Sequence, residues 1–478
     1  MDQRERVLLL TGRLAEAVVR QTAAQVSARA PVDFEVCVLP ITVAALMHTQ
    51  WVERKLEWQV EWRFERVLLP GYCQGELTAL NARYGVPFER GPKDILDLPE
   101  FMGLGKRKPA SLERYDIEIL AEINHAPRLG LDPILRMAEH YRRSGADLID
   151  VGCIPGERWS GVGETVLALV SEGFRVSIDS FDRHEVTSAV EAGAELVLSG
   201  NASNLDWAVD VPAEFVVIPD ESRSLDSLQP TIDAFRAANK RFRIDPILDP
   251  VGVGFAASLE RYALARRRWP EIPVLMGIGN VTELAEADTA GASLLLAGIC
   301  GELGITSVLT TEVAPWCRSA VQEFNIARRV MHFAIENGTI AKHIDSSLVM
   351  LRDSKLKEYG EESLAALAVQ IKDPNYRIFA ERGQLHVMNR DGYWRGADAF
   401  EVFDQMAATN LKLSASHAFY LGYEMSKAVT ALTLGKQYQQ DEPLHWGLLT
   451  RAEASALERR HQAIRTTPLP TEDGGAQP

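Results

Sequence analysis

"RVSIDSFDRHEVTSAVEAGAELVLSG", residues 175–200, decides the reading of the fold. It opens on a short apolar run, Val176-Ser177-Ile178, and leaves that run at Asp179. A helix-like stretch follows from Arg183 to Ala192, Gly193 punctuates its end, and a second apolar run, Leu196-Val197-Leu198, begins at once. Strand, helix and strand with glycine at the helix end make the βαβ unit of a parallel sheet. An aspartate at the exit of such a strand is ordinarily a turn residue or a helix cap. Asp179 earns another reading only if other strands end the same way.

They do. From about residue 116 eight strand-like segments follow one another: "EILAEIN", "ADLIDVG", "RVSIDS", "ELVLSG", "FVVIPD", "RFRIDPIL", "PVLMGIG" and "TSVLTT". Helical runs such as "DPILRMAEHYRRSG" and "HEVTSAVEAG" separate them. Eight such units predict a (β/α)8 TIM barrel over residues 116–335, with a doubly wound open sheet as the alternative. Barrel enzymes do their chemistry at the carboxyl ends of the strands. Asn124 ends the first strand here, Asp150 lies in the second and Asp179 ends the third. Asn201 lies just past the fourth, Asp220 ends the fifth, Asp245 and Asp249 lie in or after the sixth, and Asn280 follows the seventh.

This ring has one histidine, His125, and neither a metal-ligand spacing nor a GxSxG elbow. Carboxylates and amides suit a neutral, flat ligand with a dense edge of donors and acceptors. A pterin qualifies, because its 2-amino and N3–H groups form two parallel donors that one carboxylate accepts together. A sugar or a purine also fits.

The flanks differ from the barrel. Residues 1–110 alternate strand-like and helical runs, as a small Rossmann-like α/β domain would, yet no GxGxxG follows the first strand. Residues 91–115 are loop-rich and form a boundary. After about residue 340 the pattern changes to β-rich runs punctuated by Arg382-Gly383 and Arg390-Asp391-Gly392, then a helix over Ser414 to Gly435. An α+β domain over 340–465 and a disordered tail over 466–478 are expected.

Composition narrows the class. The 478 residues are too many for one ordinary domain, and 46% hydrophobic content is that of a well-packed globular protein. A net charge of −15 argues against a general nucleic-acid or anionic-membrane binder. Five scattered cysteines suit a reducing cytoplasm, and no apolar stretch is long enough for a membrane span.

At the level of motifs the chain resembles the pterin-binding barrels, dihydropteroate synthases and methyltetrahydropterin methyltransferases. "GADLIDVG" (145–152) followed by "RVSIDSFDRHEVTSAVEAGAELV" (175–197) is similar to the synthase run whose third-strand Asp binds the pterin, a role that falls to Asp179. "EINHAP" (122–127) resembles the first-strand segment whose Asn serves the ligand or a Mg-diphosphate site, which makes Asn124 the candidate contact for Mg2+. "LDPVGVGF" (248–255) resembles the synthase LDPGIGFGK and implies a second contact at Asp249, while "IDP" (244–246) resembles the methyltransferase sixth strand and implies Asp245. Asp179 and Asp249 are thus the implied catalytic pair, with Asn124, Asn201, Asp245 and Asn280 as further pterin contacts.

There are departures. "MGIGNVTE" (276–283) is close to the methyltransferase GLSNVS and lacks the synthase Lys, and "SVLTTEV" (307–313) has Leu309 and Thr311 where the synthases carry Arg and His for the diphosphate. The whole arrangement resembles the dihydropteroate synthase-related proteins of methanogens and methylotrophs, which accompany tetrahydromethanopterin metabolism. The resemblance implies a cytoplasmic transferase that joins an activated hydroxymethyl-dihydropterin to an arylamine, with Mg2+ at the diphosphate and a homodimer as the candidate assembly. Two alternatives stand beside it. One is methyl transfer from a methyl-tetrahydropterin, and the other is a non-catalytic pterin-binding scaffold.

Overall fold

In the computed structural model of the chain, residues 4–105, 111–220, 224–409 and 413–454 are described. Among them three separate sheets form. The first contains β1 (Glu5–Thr11), β2 (Val32–Val38), β3 (Arg66–Leu69) and β4 (Phe88–Arg90) in the order β2-β1-β3-β4, all parallel. Val7 and Leu9 face one layer of helices, and Leu8 and Leu10 face the other, so the apolar run "VLLL" is buried on both sides. Part of the expected boundary segment belongs to this unit, because Leu98, Met102 and Leu104 pack onto the Val7–Leu9 face.

The second sheet is the barrel. Its strands are β5 (Glu118–Ile123), β6 (Leu148–Gly152), β7 (Val176–Asp179), β8 (Leu196–Gly200), β9 (Glu214–Val217), β10 (Phe242–Ile244), β11 (Leu275–Gly277) and β12 (Ser307–Thr310). They run parallel in the order β10-β9-β8-β7-β6-β5-β12-β11. A parallel bridge from Ile244 to Val274 joins the two ends, with the Ile244 N–H donating to Pro273 O at 2.9 Å. The sheet is therefore a closed eight-stranded (β/α)8 barrel, as the eight sequence units predict.

Alternation along each strand sorts the side chains into layers. Ile119, Ala121, Ile149, Val151, Val176 and Ile178 point outward and pack with the surrounding helices. Leu120, Leu148, Leu196, Leu198, Val216 and Leu275 point inward and fill the middle of the barrel. At the amino ends of the strands, Arg243 donates to Glu214 at 2.8 Å and to Glu118 at 3.0 Å, and Arg175 reaches Glu118 at 2.7 Å and Glu195. That floor is an ion-pair network.

Local chemistry fixes the helices between strands. The helix Leu131–Ser144 stops at Gly145, whose φ of 103° needs glycine and whose missing Cβ leaves room for Asn325. The returning helix Ala320–Glu336 is anchored by Arg328, which is buried. Arg328 donates to Ile117 O and Asp147 Oδ2 at 2.5 Å and lies 3.6 Å over the Tyr115 ring.

The third sheet is an antiparallel meander of β13 (Arg377–Glu381), β14 (Gln384–Asn389) and β15 (Gly392–Gly396). The long helix Ala415–Leu434 has Ser414 as its N-cap, accepting from the His417 N–H, and Gly435 as its left-handed C-cap. The tail expected at 466–478 lies outside the described residues. Among the described residues no helix is long and apolar enough to cross a membrane, and all five cysteines are free.

Candidate functional site

The opening stretch contains two aspartates, and they do different work. Asp182 is the helix cap: its carboxylate accepts from the His184 and Glu185 N–H groups at the start of the helix Arg183–Glu191. Asp179, three residues earlier, shares its strand face with Ser177 and points into the barrel mouth. There its Oδ1 accepts from the Ser199 hydroxyl at 2.7 Å.

Above the leucine layer lies a cavity of about 190 Å³ at the carboxyl ends of the strands. Its acidic lining comes from Glu122 on β5, Asp179 on β7, Asp245 just after β10 and Glu283 after β11. Ser199, Asn280, Thr310 and Thr311 complete the polar wall, and Leu198, Val216, Ile218, Ile247, Leu275 and Leu309 form the apolar base. No Lys, Arg or His among the described residues lines it.

Asp150 stands behind this wall, level with Glu122 in the register of β5 and β6. It is fully buried; its Oδ1 accepts from Ser177 at 2.6 Å and its Oδ2 has no partner. The hydroxyls of Thr310 and Thr311 are likewise buried and unpartnered.

Carboxylates gathered in a dry place without cations resist ionisation. Burial pushes Glu122 up to about 7, and the charges of Asp179 and Glu283 add to the effect. Burial raises Asp150 well above the carboxylate range, helped by Asp179 and Glu122 and opposed by the Ser177 hydroxyl. Asp179 is raised by burial, with Ser199 acting against it. Asp245 is pushed up to about 6 by burial, although Tyr262, at 2.5 Å, and the Ile247 N–H, at 2.7 Å, both donate to it.

Two backbone irregularities aim the donors. Ser199 has φ 77° at the register shift between Val197 and Gly200, and Ile247 has φ 66° just after β10. Left-handed backbone at a non-glycine residue, and at a β-branched one above all, is strained by roughly 1–3 kcal/mol. Each of these residues donates to one of the two cavity aspartates. Buried Arg261 holds the second irregularity by donating to Pro246 O at 2.8 Å and Ile247 O at 2.5 Å.

The structure brings Asp179, Asp245 and Asn280 to the cavity wall, with Asp150 behind it. Asn280 sits there through a hydrogen bond from its Nδ2 to Leu248 O at 2.8 Å. Asp249 is elsewhere: it accepts from Arg261 at 3.0 Å and lines a larger cavity of about 890 Å³ beside the helix Phe255–Arg268. That larger cavity mixes acids with Arg261 and Arg268, and the unpaired carboxylates are not in it.

Asn201 accepts from the Ser203 N–H and hydroxyl at 2.9 and 2.6 Å in a local turn, and Asp220 accepts from the Ala202 N–H at 2.9 Å. Neither reaches the cavity, because polar side chains just past a strand close the nearest turn first. Asn124 follows β5 without lining the cavity, and His125 is exposed at φ 52°. Among the described residues no group of three or more His, Cys, Asp or Glu has the geometry to hold a metal ion.

Comparison with known proteins adds the following. The family DUF6513, a family of unknown function, matches residues 5–93, and the family PterinBD-DUF4346 matches residues 337–441, outside the barrel. An uncharacterised protein of Methanocaldococcus jannaschii is 24% identical over 521 residues, covering 91% of this chain and 98% of its own length. Dihydropteroate synthase from Xanthomonas albilineans, solved in complex with 7,8-dihydropteroate, is 19% identical with a TM-score of 0.35, covering 48% of this chain and 94% of that one. The Yersinia pestis enzyme with a pterine-sulfa conjugate is 20% identical with a TM-score of 0.37, covering 47% and 95%.

Glu122, Ser199 and Ile247 are among the site residues that strand-end reasoning passes over, as are Glu283, Thr310 and Thr311. Glu122 had a readable signal, since it shares the parity of Leu120 and so faces the barrel interior. Ser199 and Ile247 had none, because their role depends on a backbone conformation that no local pattern prescribes.

Proposed function

We propose that the barrel mouth binds a reduced pterin and that the protein is a pterin-dependent transferase. The observation that carries this reading is a cavity of about 190 Å³ lined by carboxylates, Asp179 and Asp245 foremost, with no Lys, Arg or His among the described residues in its wall. A ligand that satisfies them must bring N–H donors, and a fused two-ring heterocycle with an amino-amide edge brings several. The volume is below the usual drug-sized range of about 300–1,000 Å³, which favours one compact ring system over a dinucleotide. In this reading Asp179 accepts the parallel donors, Asp245 and Asn280 address the opposite edge, and Asp249 with Arg261 fixes the turn that carries Ile247.

Two reactions follow from the family resemblance. Condensation of an activated hydroxymethyl-dihydropterin with an arylamine, the step expected for tetrahydromethanopterin biosynthesis, releases diphosphate and needs cations around it. The acidic lining, with no basic residue among the described ones, favours the other: transfer of a one-carbon group from a methyl-tetrahydropterin to a nucleophilic acceptor. A scaffold without catalysis would bind the pterin equally well and turn nothing over.

Calorimetry with a tetrahydropterin tests the binding. Asp179→Asn removes a charged acceptor and should lower the affinity about ten- to a hundred-fold. Absence of binding to the folded wild-type protein would sink the reading.

A further inference from the structure

Two acids of the cavity, Glu122 and Glu283, have no role in holding a pterin edge, and of these Glu122 is the one carried on a barrel strand. It sits on β5 facing inward, and its slot exists because Gly152 on the next strand has no side chain: a Cβ there would lie 2.8 Å from Glu122 Oε1. Among the described residues the charged groups that share its surroundings are acidic: Asp150 on β6, Asp179 on β7, Asp245 just after β10, and Glu283 after β11. The phenol of Tyr141 on the helix Leu131–Ser144 is pushed up by burial first, then by the charges of Glu312 and Glu122.

We propose that Glu122 is the proton donor of the transfer step. This rests on the barrel being a reduced-pterin site. As an anionic nucleophile such as a thiolate takes the methyl group, the N5–carbon bond breaks and its electron pair remains on N5. The Glu122 carboxyl gives its proton to that pair, leaving a carboxylate and an N5–H tetrahydropterin. One bond to carbon is exchanged for another, one proton moves, and the total charge is unchanged. A carboxyl with its pKa held near the working pH is suited to that task, and Glu122, pushed up to about 7, meets the condition. Asp179 cannot take this part while it accepts two N–H donors, because that requires it to be ionised.

The test is calorimetry of 5-methyl-tetrahydropterin at several pH values, repeated in two buffers of different ionisation enthalpy to count protons. The protonated carboxyl donates to N5, so wild-type protein should take up a proton on binding above neutral pH, and its affinity should fall up to tenfold per pH unit there. Glu122→Gln keeps a neutral N–H donor, so it should bind within about threefold of the wild-type acid-side affinity, take up one proton fewer than the wild type above neutral pH, and lose the fall in affinity there. A wild-type protein whose affinity stays level above neutral pH, or one that takes up no more protons than Glu122→Gln, overturns the proposal. The first result needs no variant to fold. If the ligand fails to bind the wild type at any pH, the pterin reading falls first and takes the proposal with it.

Discussion

The two ends of the barrel both gather acidic residues and put them to opposite use. At the floor, Glu118, Glu195 and Glu214 meet Arg175 and Arg243, and each carboxylate has a guanidinium within 3.0 Å. At the mouth, Glu122, Asp150, Asp179 and Asp245 have only hydroxyl, phenol and amide neighbours, or none. Two residues of one strand, Glu118 and Glu122, show the contrast most sharply. A charge that is paired where it is buried belongs to the fold. Charges that are buried together and left unpaired keep the mouth in an unfavourable state that a suitable ligand relieves.

Four experiments break or sharpen that contrast. The largest effect should come from Arg243→Met at the floor. It strands Glu118 and Glu214 without their shared cation and should cost about 3–5 kcal/mol of stability in denaturant unfolding, at most halved by the partners that remain. Asp179→Asn at the mouth should do the reverse. Pterin affinity should drop by about 1.5–3 kcal/mol, while thermal unfolding near neutral pH stays level or moves up. If Asp179→Asn destabilised the protein as much as Arg243→Met, the two ends would not differ in kind.

The third experiment uses pH. Native Glu122 keeps its proton up to about 7, whereas the unfolded chain gives it up near the ordinary carboxylate value. The native state therefore binds more protons between those limits, and stability contributed by the protonated form is lost as pH rises through the native value. Raising pH from about 5 to 8 should cost on the order of 2 kcal/mol through this residue, and Glu122→Gln should flatten that part of the curve. The smallest effect belongs to Ser199→Gly. Glycine accepts φ 77° without strain, so stability should hold, while losing the hydroxyl beside Asp179 should weaken pterin binding by about 1 kcal/mol.

Much of the barrel is legible in the chain. Seven of the eight strands fall within the segments marked by apolar runs and glycine punctuation, and β9 begins one residue before its segment, because burial between helices and the leucine layer demands apolar residues at both parities. The ring of strand-end polar residues is legible only as a set of candidates. Asp179, Asp245 and Asn280 reach the cavity, whereas Asn201, Asp220 and Asp249 are used by the nearest turn or by Arg261. Asp245 and Asn201 each lie one residue past a strand and meet different fates, so strand-end position alone does not resolve the outcome.

What the sequence by itself determined is the repeating βαβ order, the layer of inward leucines and the supply of acids at strand ends, since each follows from a period of two or a cap within a few residues. The tertiary structure alone decided which acids face one another without a cation. Closure of the barrel through Ile244 and Val274 seats β10 beside β11 and completes the ring, so Asp245 and Glu122, 123 positions apart in the chain (245 minus 122), line one cavity. Burial and mutual repulsion, which set the chemistry of that cavity, act through space and exist only once the ring is closed.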